Sequence, residues 1–161
     1  MAGRFIRSRD LNFFDTINKE LLGDPVNNKP GVINQEVVIY KVSVYETETN
    51  FYGESSQGRS YQNGVKLACL IESEDFDFET AEFGPDVNQN ATFSFLRQSL
   101  IDAGNFVPDL GDVIDWNYSY WEINSINENQ LVGGQADQNH SVVVTGFLSE
   151  PSRVNIQRIR G

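Results

Sequence analysis

The stretch Pro108-Asp-Leu-Gly-Asp-Val-Ile-Asp-Trp-Asn-Tyr-Ser-Tyr-Trp-Glu-Ile-Asn-Ser-Ile126 decides the fold. Pro108, Asp109 and Gly111 spell a turn, because proline fixes φ and glycine accepts the positive φ that other residues resist. Beyond it the chain alternates. Ile114 and Trp116 share one face with Asp115 on the other, and after Asn117-Tyr118-Ser119 the pattern resumes with Trp121 and Ile123 opposite Glu122. Two aromatic and β-branched runs joined by a few turn-prone residues predict a hairpin whose core side chains are Ile114, Trp116, Trp121 and Ile123. A lone hairpin is marginal in water, so this one belongs inside a larger sheet or barrel.

Outward from the hairpin, the same period-2 signal recurs. A strand is expected at about 35–45 with Val38, Tyr40, Val42 and Val44 on one face, and a second at about 65–71 with Val65, Leu67, Cys69 and Ile71 aligned. Residues 72–83 interleave six acids with Phe76, Phe78 and Phe83, and Gly84-Pro85-Asp86 is read as the turn that follows. Val87, Ala91, Phe93 and Phe95 alternate through another strand. Leu96 to Ala103 fits a short helix ended by Gly104, and Ser141–Leu148 reads as a strand. Residues 46–64 and 128–140 read as long polar loops, and Val154 and Ile156 as a short final strand or tail.

One helix precedes all of this. Leu11, Phe14, Ile17 and Leu21 fall at helical spacing, with Ser8 or Asp10 placed to cap the start and Gly23 and Pro25 to stop the end. A helix this amphipathic must lie on something, its own sheet or a neighbouring subunit. The expected class is therefore mainly β: a small β-barrel or sandwich with an N-terminal amphipathic helix and long polar loops. The expected organisation is an arm, helix and linker at 1–34, a barrel domain at 35–150 and a basic tail at 151–161.

Charge is distributed unevenly. The 161 residues carry a net charge of −11, which argues against a surface-wide grip on nucleic acid. Arg4, Arg7 and Arg9 open the chain and Arg153, Arg158 and Arg160 close it, half of the twelve basic residues. Between Gln98 and Ser152 no Lys or Arg occurs, against eight acids. An acidic body with basic ends suits contacts between copies or with acidic neighbours. One cysteine rules out an internal disulfide and fits a reducing compartment, and no apolar run is long enough for a transmembrane helix.

Chemistry is sparse. Asp75, Asp77 and Glu79 have the spacing of the first ligands of a calcium loop, but Thr80 and Asp86 stand where that loop needs Gly and Glu. His140 is the sole histidine, so no multi-histidine metal site exists; in a polar loop it reads as solvent-exposed. A Ser–His–Asp arrangement lacks its Gly-x-Ser-x-Gly elbow, and Gly133-Gly134 has no following Lys for a phosphate loop. Cys69 lies on an apolar strand face, as core filler. Asp112, Asp115 and Glu122 are carboxylates a glycosidase could use, but alternation puts Asp115 and Glu122 on a solvent-side face. No catalytic residue, metal or cofactor is assigned, and the expected role is binding or assembly rather than catalysis.

Several pieces, in this order, resemble a known family: Phe51-Tyr-Gly-Glu54, Gly64-Val-Lys-Leu-Ala-Cys-Leu-Ile71, Glu82-Phe-Gly-Pro-Asp-Val87, Thr92-Phe-Ser-Phe-Leu-Arg97, and Pro108-x-x-Gly-Asp-Val-Ile-Asp-Trp116 followed by Tyr120-Trp-Glu-Ile123. With the opening Arg9-Asp-Leu-Asn-Phe-Phe14 they resemble neck proteins of contractile-tailed bacteriophages. The last piece also resembles the hairpin of head-closure and head–tail connector proteins. The resemblance implies a structural virion subunit of a homo-oligomeric ring, a hexamer by family analogy. Such a ring lies between portal and tail, closes the filled head and gives the tail a docking platform. Its implied partners are portal or connector proteins and the tail terminator; DNA passes through without specific binding, and no membrane is involved. Within that expectation Arg4, Phe5, Arg7, Arg9, Leu11, Phe14, Arg153, Arg158 and Arg160 are candidate interface residues. Glu74, Asp75, Asp77, Glu79 and Glu82 are candidates for an acidic lumen or loop surface that repels phosphate. The alternatives are another tail or baseplate component, or a carbohydrate-binding sandwich with Tyr118, Tyr120 or Trp121 as stacking platforms.

Overall fold

A computed structural model describes residues 7–42, 59–73, 77–81, 84–131, 139–149 and 154–155. In chain order the elements are α1 (Ser8–Leu22), β1 (Gly23–Asp24), β2 (Lys29–Pro30), β3 (Glu36–Tyr40), β4 (Arg59–Ser60), β5 (Val65–Ala68), β6 (Leu70–Ser73), β7 (Asp77–Ala81) and β8 (Gly84–Asn88). There follow β9 (Asn90–Leu96), α2 (Arg97–Asp102), β10 (Val113–Trp116), β11 (Ser119–Leu131), β12 (Asn139–Ser149) and β13 (Val154–Asn155). The architecture is mainly β, a curled seven-stranded antiparallel sheet ordered β5-β3-β10-β11-β12-β9-β6 with a helix at its front.

The central hairpin forms where alternation placed it. Ile114 pairs with Trp121 and Trp116 with Ser119, leaving Asn117-Tyr118 as a two-residue loop. Both loop residues have positive φ, 52° and 62°, the backbone of a type I′ turn that follows the right-handed twist of the strands. The entry turn is equally local. Gly111 sits at φ 88°, and the Asp112 N–H donates to the Asp109 carbonyl, a glycine-dependent reversal that aims β10 into the sheet.

Inside the curl, Val37, Ile39, Leu67, Cys69, Ala91, Phe93, Phe95, Leu100, Ile114, Trp121, Ile123, Val142 and Val144 form one buried cluster. Phe93 meets Trp116 and Trp121 edge-on, at centroid distances of 5.9 and 6.3 Å. The Trp121 indole N–H donates to the Trp116 carbonyl, so the ring that fills the core also ties the hairpin's turn end.

Four expectations are corrected. On β3 the core-facing residues are Val37 and Ile39, not Val38 and Tyr40; the run is apolar on both faces, so alternation alone left the phase open. The run 65–71 is two strands, not one. It pairs with β3 as β5, breaks at Cys69, and pairs with β9 as β6 on the other edge of the sheet. Since adjacent Cα atoms are about 3.8 Å apart, joining both edge strands through one residue requires the sheet to curl until its edges meet. Gly84-Pro85-Asp86 belongs to β8 rather than to a turn, pairing with Ala81, Thr80 and Glu79 of β7. The loop read at 128–140 is shorter, because β11 continues to Leu131 and β12 begins at Asn139; register shifts between Ile123 and Ser125 and between Asn127 and Gln130 let this long ribbon coil.

The hairpin is also buried on its second face. Val113 and Tyr120 are buried opposite the core, on the face where alternation predicted solvent, and Tyr40, paired with Val113, is buried there too. Gly64 runs so close to this face that a Cβ there would lie 2.4 Å from Val38 Cγ1 and 2.8 Å from the Tyr40 ring.

Candidate interaction surface

α1 is an amphipathic helix docked the unexpected way round. Arg7 holds its N-cap position without a side-chain cap, so neither Ser8 nor Asp10 caps it as predicted; Asp10 lies in the first turn, where the helix dipole favours an acid. At the other end the Gly23 N–H bonds to the Lys19 carbonyl at φ 98°. β1 and β2 then form a tight hairpin that brings the chain back over the helix terminus. Val32 N–H donates to the Glu20 carbonyl and Ile33 N–H to the Leu21 carbonyl, satisfying acceptors a helix end leaves bare. Gly31 makes this return possible, since a Cβ there would lie 2.2 Å from the Gly23 nitrogen.

The helix meets the body through polar groups. Lys19 pairs with Asp102 at the end of α2, and Gln98 donates to the other oxygen of that carboxylate. The Lys19 hydrogen bond holds the Asp102 carboxyl below the usual range. Asn18 Nδ2 lies 2.9 Å from His140 Nε2, and Asp15 Oδ1 lies 3.5 Å from His140 Nδ1. This corrects the reading of His140 as a loop residue facing solvent. It sits in β12, half-buried beneath α1, and ties helix to sheet; sequence spacing held no sign of a partner more than a hundred residues away.

With polar residues turned inward, the apolar stripe points out. α1 buries no residue; Phe13 and Phe14 are 62% and 53% exposed, and Ile17 and Leu21 are exposed beside them. Val32 and Ile33, placed by the hairpin against the end of the helix, extend the same apolar surface. Of the predicted interface residues, Arg7, Arg9 and Phe14 are exposed on α1 or just before it, and Leu11 is partly covered. Arg4, Phe5, Arg153, Arg158 and Arg160 lie outside the described residues. In the acidic set, Asp77 and Glu79 fall on β7, and Glu74, Asp75 and Glu82 lie outside the described residues.

A second surface feature lies between α2 and the segment leading to the turn. Leu100, Ile101, Phe106, Val107, Pro108 and Val142 line a groove of about 120 Å³, with Arg97 and Glu128 at its rim. Ile101 and Val107 are half exposed there.

The carboxylates considered for hydrolysis have structural surroundings. Asp112 is buried; its Oδ2 accepts the Asp109 N–H at 2.9 Å, its Oδ1 accepts the Val42 N–H at 3.2 Å, and Lys41 Nζ stands 3.6 Å away. Burial pushes its carboxyl up, opposed by the two N–H donors and the Lys41 charge. The group stitches the turn to the end of β3. Asp115 and Glu122 lie on the hairpin face away from the core, opposite Tyr120 and Val113 across the ladder. Burial pushes the Cys69 thiol up to about 12, which leaves no thiolate for chemistry. Tyr120 and Trp121 are buried and offer no stacking platform; Tyr118, at the hairpin tip, is 88% exposed. Among the described residues no three His, Cys, Asp or Glu side chains converge as a metal site, and no helix is long and apolar enough to cross a membrane.

No protein-family model matches the chain, and no curated protein does. Its fold is similar to that of a solved chain from the "virion of native gene transfer agent (GTA) particle", with a TM-score of 0.51 at 10% identity, covering 71% of this chain and 92% of that one.

Proposed function

We propose that this chain is a non-enzymatic structural protein of a virion, and within it a ring subunit of the neck between portal and tail. The observation that carries the reading is α1, a helix held to its own barrel by Lys19, Asn18 and Asp15 while Phe13, Phe14, Ile17 and Leu21 face solvent. Such a surface belongs to a subunit that is completed by assembly. The fold likeness to a chain of a gene transfer agent virion supports the same reading, as do the sequence pieces that resemble neck proteins. The ring closes a filled head, receives the tail, and lets DNA through. A net charge of −11 suits that passage, because an acidic wall lacks the counterion-release affinity a basic one has for phosphate. The domain scheme follows: an N-terminal helix unit and a basic C-terminal tail as contact elements around a barrel from 35 to 150. The partners are further copies of the chain, six in the working scheme, with portal or connector and tail-terminator proteins above and below.

Electron cryomicroscopy of particles containing the protein, with native mass spectrometry of the purified chain, tests the reading. A closed ring at the head–tail junction is expected. A chain that is monomeric in solution and in the particle, or that lies in the baseplate, overturns it.

A further inference from the structure

We infer that α1 is held by a pH-sensitive latch: the His140 imidazole grips the helix through Asp15 more firmly when charged than when neutral, so the hold strengthens as pH falls from about 8 to about 5. The device belongs to the single chain and is independent of how its copies assemble.

The helix has little else to fasten it. Among the described residues, α1 buries none of its own, and its side-chain bonds to the body come from Lys19, Asn18 and Asp15. At 15 residues it has about the length at which an isolated helix is marginal in water, so a helix that lets go of the body also opens its amides. The imidazole, by contrast, is fixed. β12 is laddered to β9 through Ser141 and Leu96 and to β11 through Asn139 and Leu131. It buries Val142 in the core, and His140 lies two residues earlier on the same face.

Both imidazole nitrogens face α1. Asn18 Nδ2 donates to Nε2 at 2.9 Å, so the neutral imidazole carries its proton on Nδ1, 3.5 Å from Asp15 Oδ1. When Nε2 takes a second proton, Asn18 turns its amide over and accepts through Oδ1, and Nδ1 becomes one end of an ion pair with Asp15. That attraction exists only while the helix is docked. The other described charges on the packed elements are engaged elsewhere. On α1, Asp10 pairs with Arg9, and Glu20 is exposed about 140° around the helix from Asp15. On α2, Asp102 pairs with Lys19, and Arg97 stands 3.9 Å from Glu128 of β11. Glu122 lies toward the opposite end of β11, across from Phe147, while β9 and the rest of β12 carry no charged residue. The Lys19 bond holds the Asp102 carboxyl below its usual range, so that second tie stays formed across the window.

Amide exchange of the full chain, corrected for the intrinsic pH dependence of exchange, reads the latch. Protection of residues 14–19 should fall about two- to fivefold from about pH 5.5 to about pH 8, the range of a partly exposed ion pair. Asp15→Asn removes the partner and should abolish the fall with an unchanged circular dichroism spectrum. His140→Gln, which keeps an acceptor for Asn18, should do the same. Cys69, its thiol pushed up to about 12, does not titrate in this window, and the α-amino group is common to every variant. Nitrogen-15 NMR of the wild-type imidazole gives a second readout that needs no variant: the neutral form should carry its proton on Nδ1. Protection that ignores pH, a pH dependence that survives in Asp15→Asn, or a neutral imidazole protonated on Nε2 overturns the latch. None of these outcomes touches the neck-ring reading, which imaging of the particle decides separately.

Discussion

Replacing Asp112 by alanine should be among the costliest single changes outside the apolar core. The carboxylate accepts the Asp109 N–H at 2.9 Å and the Val42 N–H at 3.2 Å, so one side chain fixes both the Gly111 turn and the chain leaving β3. A hydrogen bond to a charged acceptor is worth about 1.5–3 kcal/mol, and two are lost. Against this, the variant no longer buries a carboxylate that is 4% exposed, which recovers part of the loss. The net is about 3 kcal/mol. For a chain of this length that lowers the melting temperature by about 6–12 °C. Asp112→Asn keeps one acceptor and turns an amide donor toward the other N–H, so it should fall between wild type and alanine. Scanning calorimetry or a denaturant series measures both. The pH dependence has a definite sign. Burial raises the folded-state carboxyl, so the folded chain holds this proton more tightly than the unfolded one. The group's contribution to stability therefore falls as pH rises from the ordinary carboxylate value through the raised one, and the gap between wild type and Asp112→Asn narrows over that window and is flat above it. An alanine variant melting within 2 °C of wild type, about the shift of 1 kcal/mol or less, would refute the stitching role.

Three further outcomes follow from single contacts. Asp102→Asn should free α1, seen as faster amide exchange at Lys19–Leu22. Because the Lys19 bond lowers the Asp102 carboxyl, its contribution is present above the ordinary carboxylate value and lost as pH falls through the lowered one, so the wild type should come to match the variant in acid. Cys69, with its thiol pushed up to about 12 inside the core, should resist a thiol reagent in native buffer and react stoichiometrically in denaturant; rapid native labelling would contradict its burial. Tyr118 sits at φ 62° in the second loop position of a type I′ turn, so Tyr118→Gly should raise stability by about 1 kcal/mol in the same denaturant series, and a loss would show that its ring contributes more than its backbone costs.

Much of the curled sheet was legible because its signals are local. The two runs around Asn117-Tyr118, the Gly111 turn, the Ala91-Phe93-Phe95 face, the short helix before Gly104 and the helical spacing of Leu11, Phe14, Ile17 and Leu21 each depend on residues a few positions apart. The phase of β3 was not legible, since Val37, Val38, Ile39 and Tyr40 are all apolar enough for either face. Nor was the length of β11 and β12, whose polar ends pair only because the ladder between them continues. The His140 and Asp112 contacts went unread for the same reason: their partners lie 122 and 70 residues away along the chain, at Asn18 and Val42.

By itself, then, the sequence settled a β-rich chain built on one aromatic hairpin, with a helix in front whose apolar stripe needed a cover. Local alternation and turn chemistry suffice for that, because each strand's period and each glycine's φ are fixed by its neighbours. Tertiary structure alone decided that Cys69 divides one apolar run between both edges of a curled sheet, and that α1 lies on its polar side. Those outcomes depend on which distant groups meet: strand edges that must find partners, and a lysine, an asparagine and an aspartate that find theirs on α2 and β12 while the phenylalanines are left facing out.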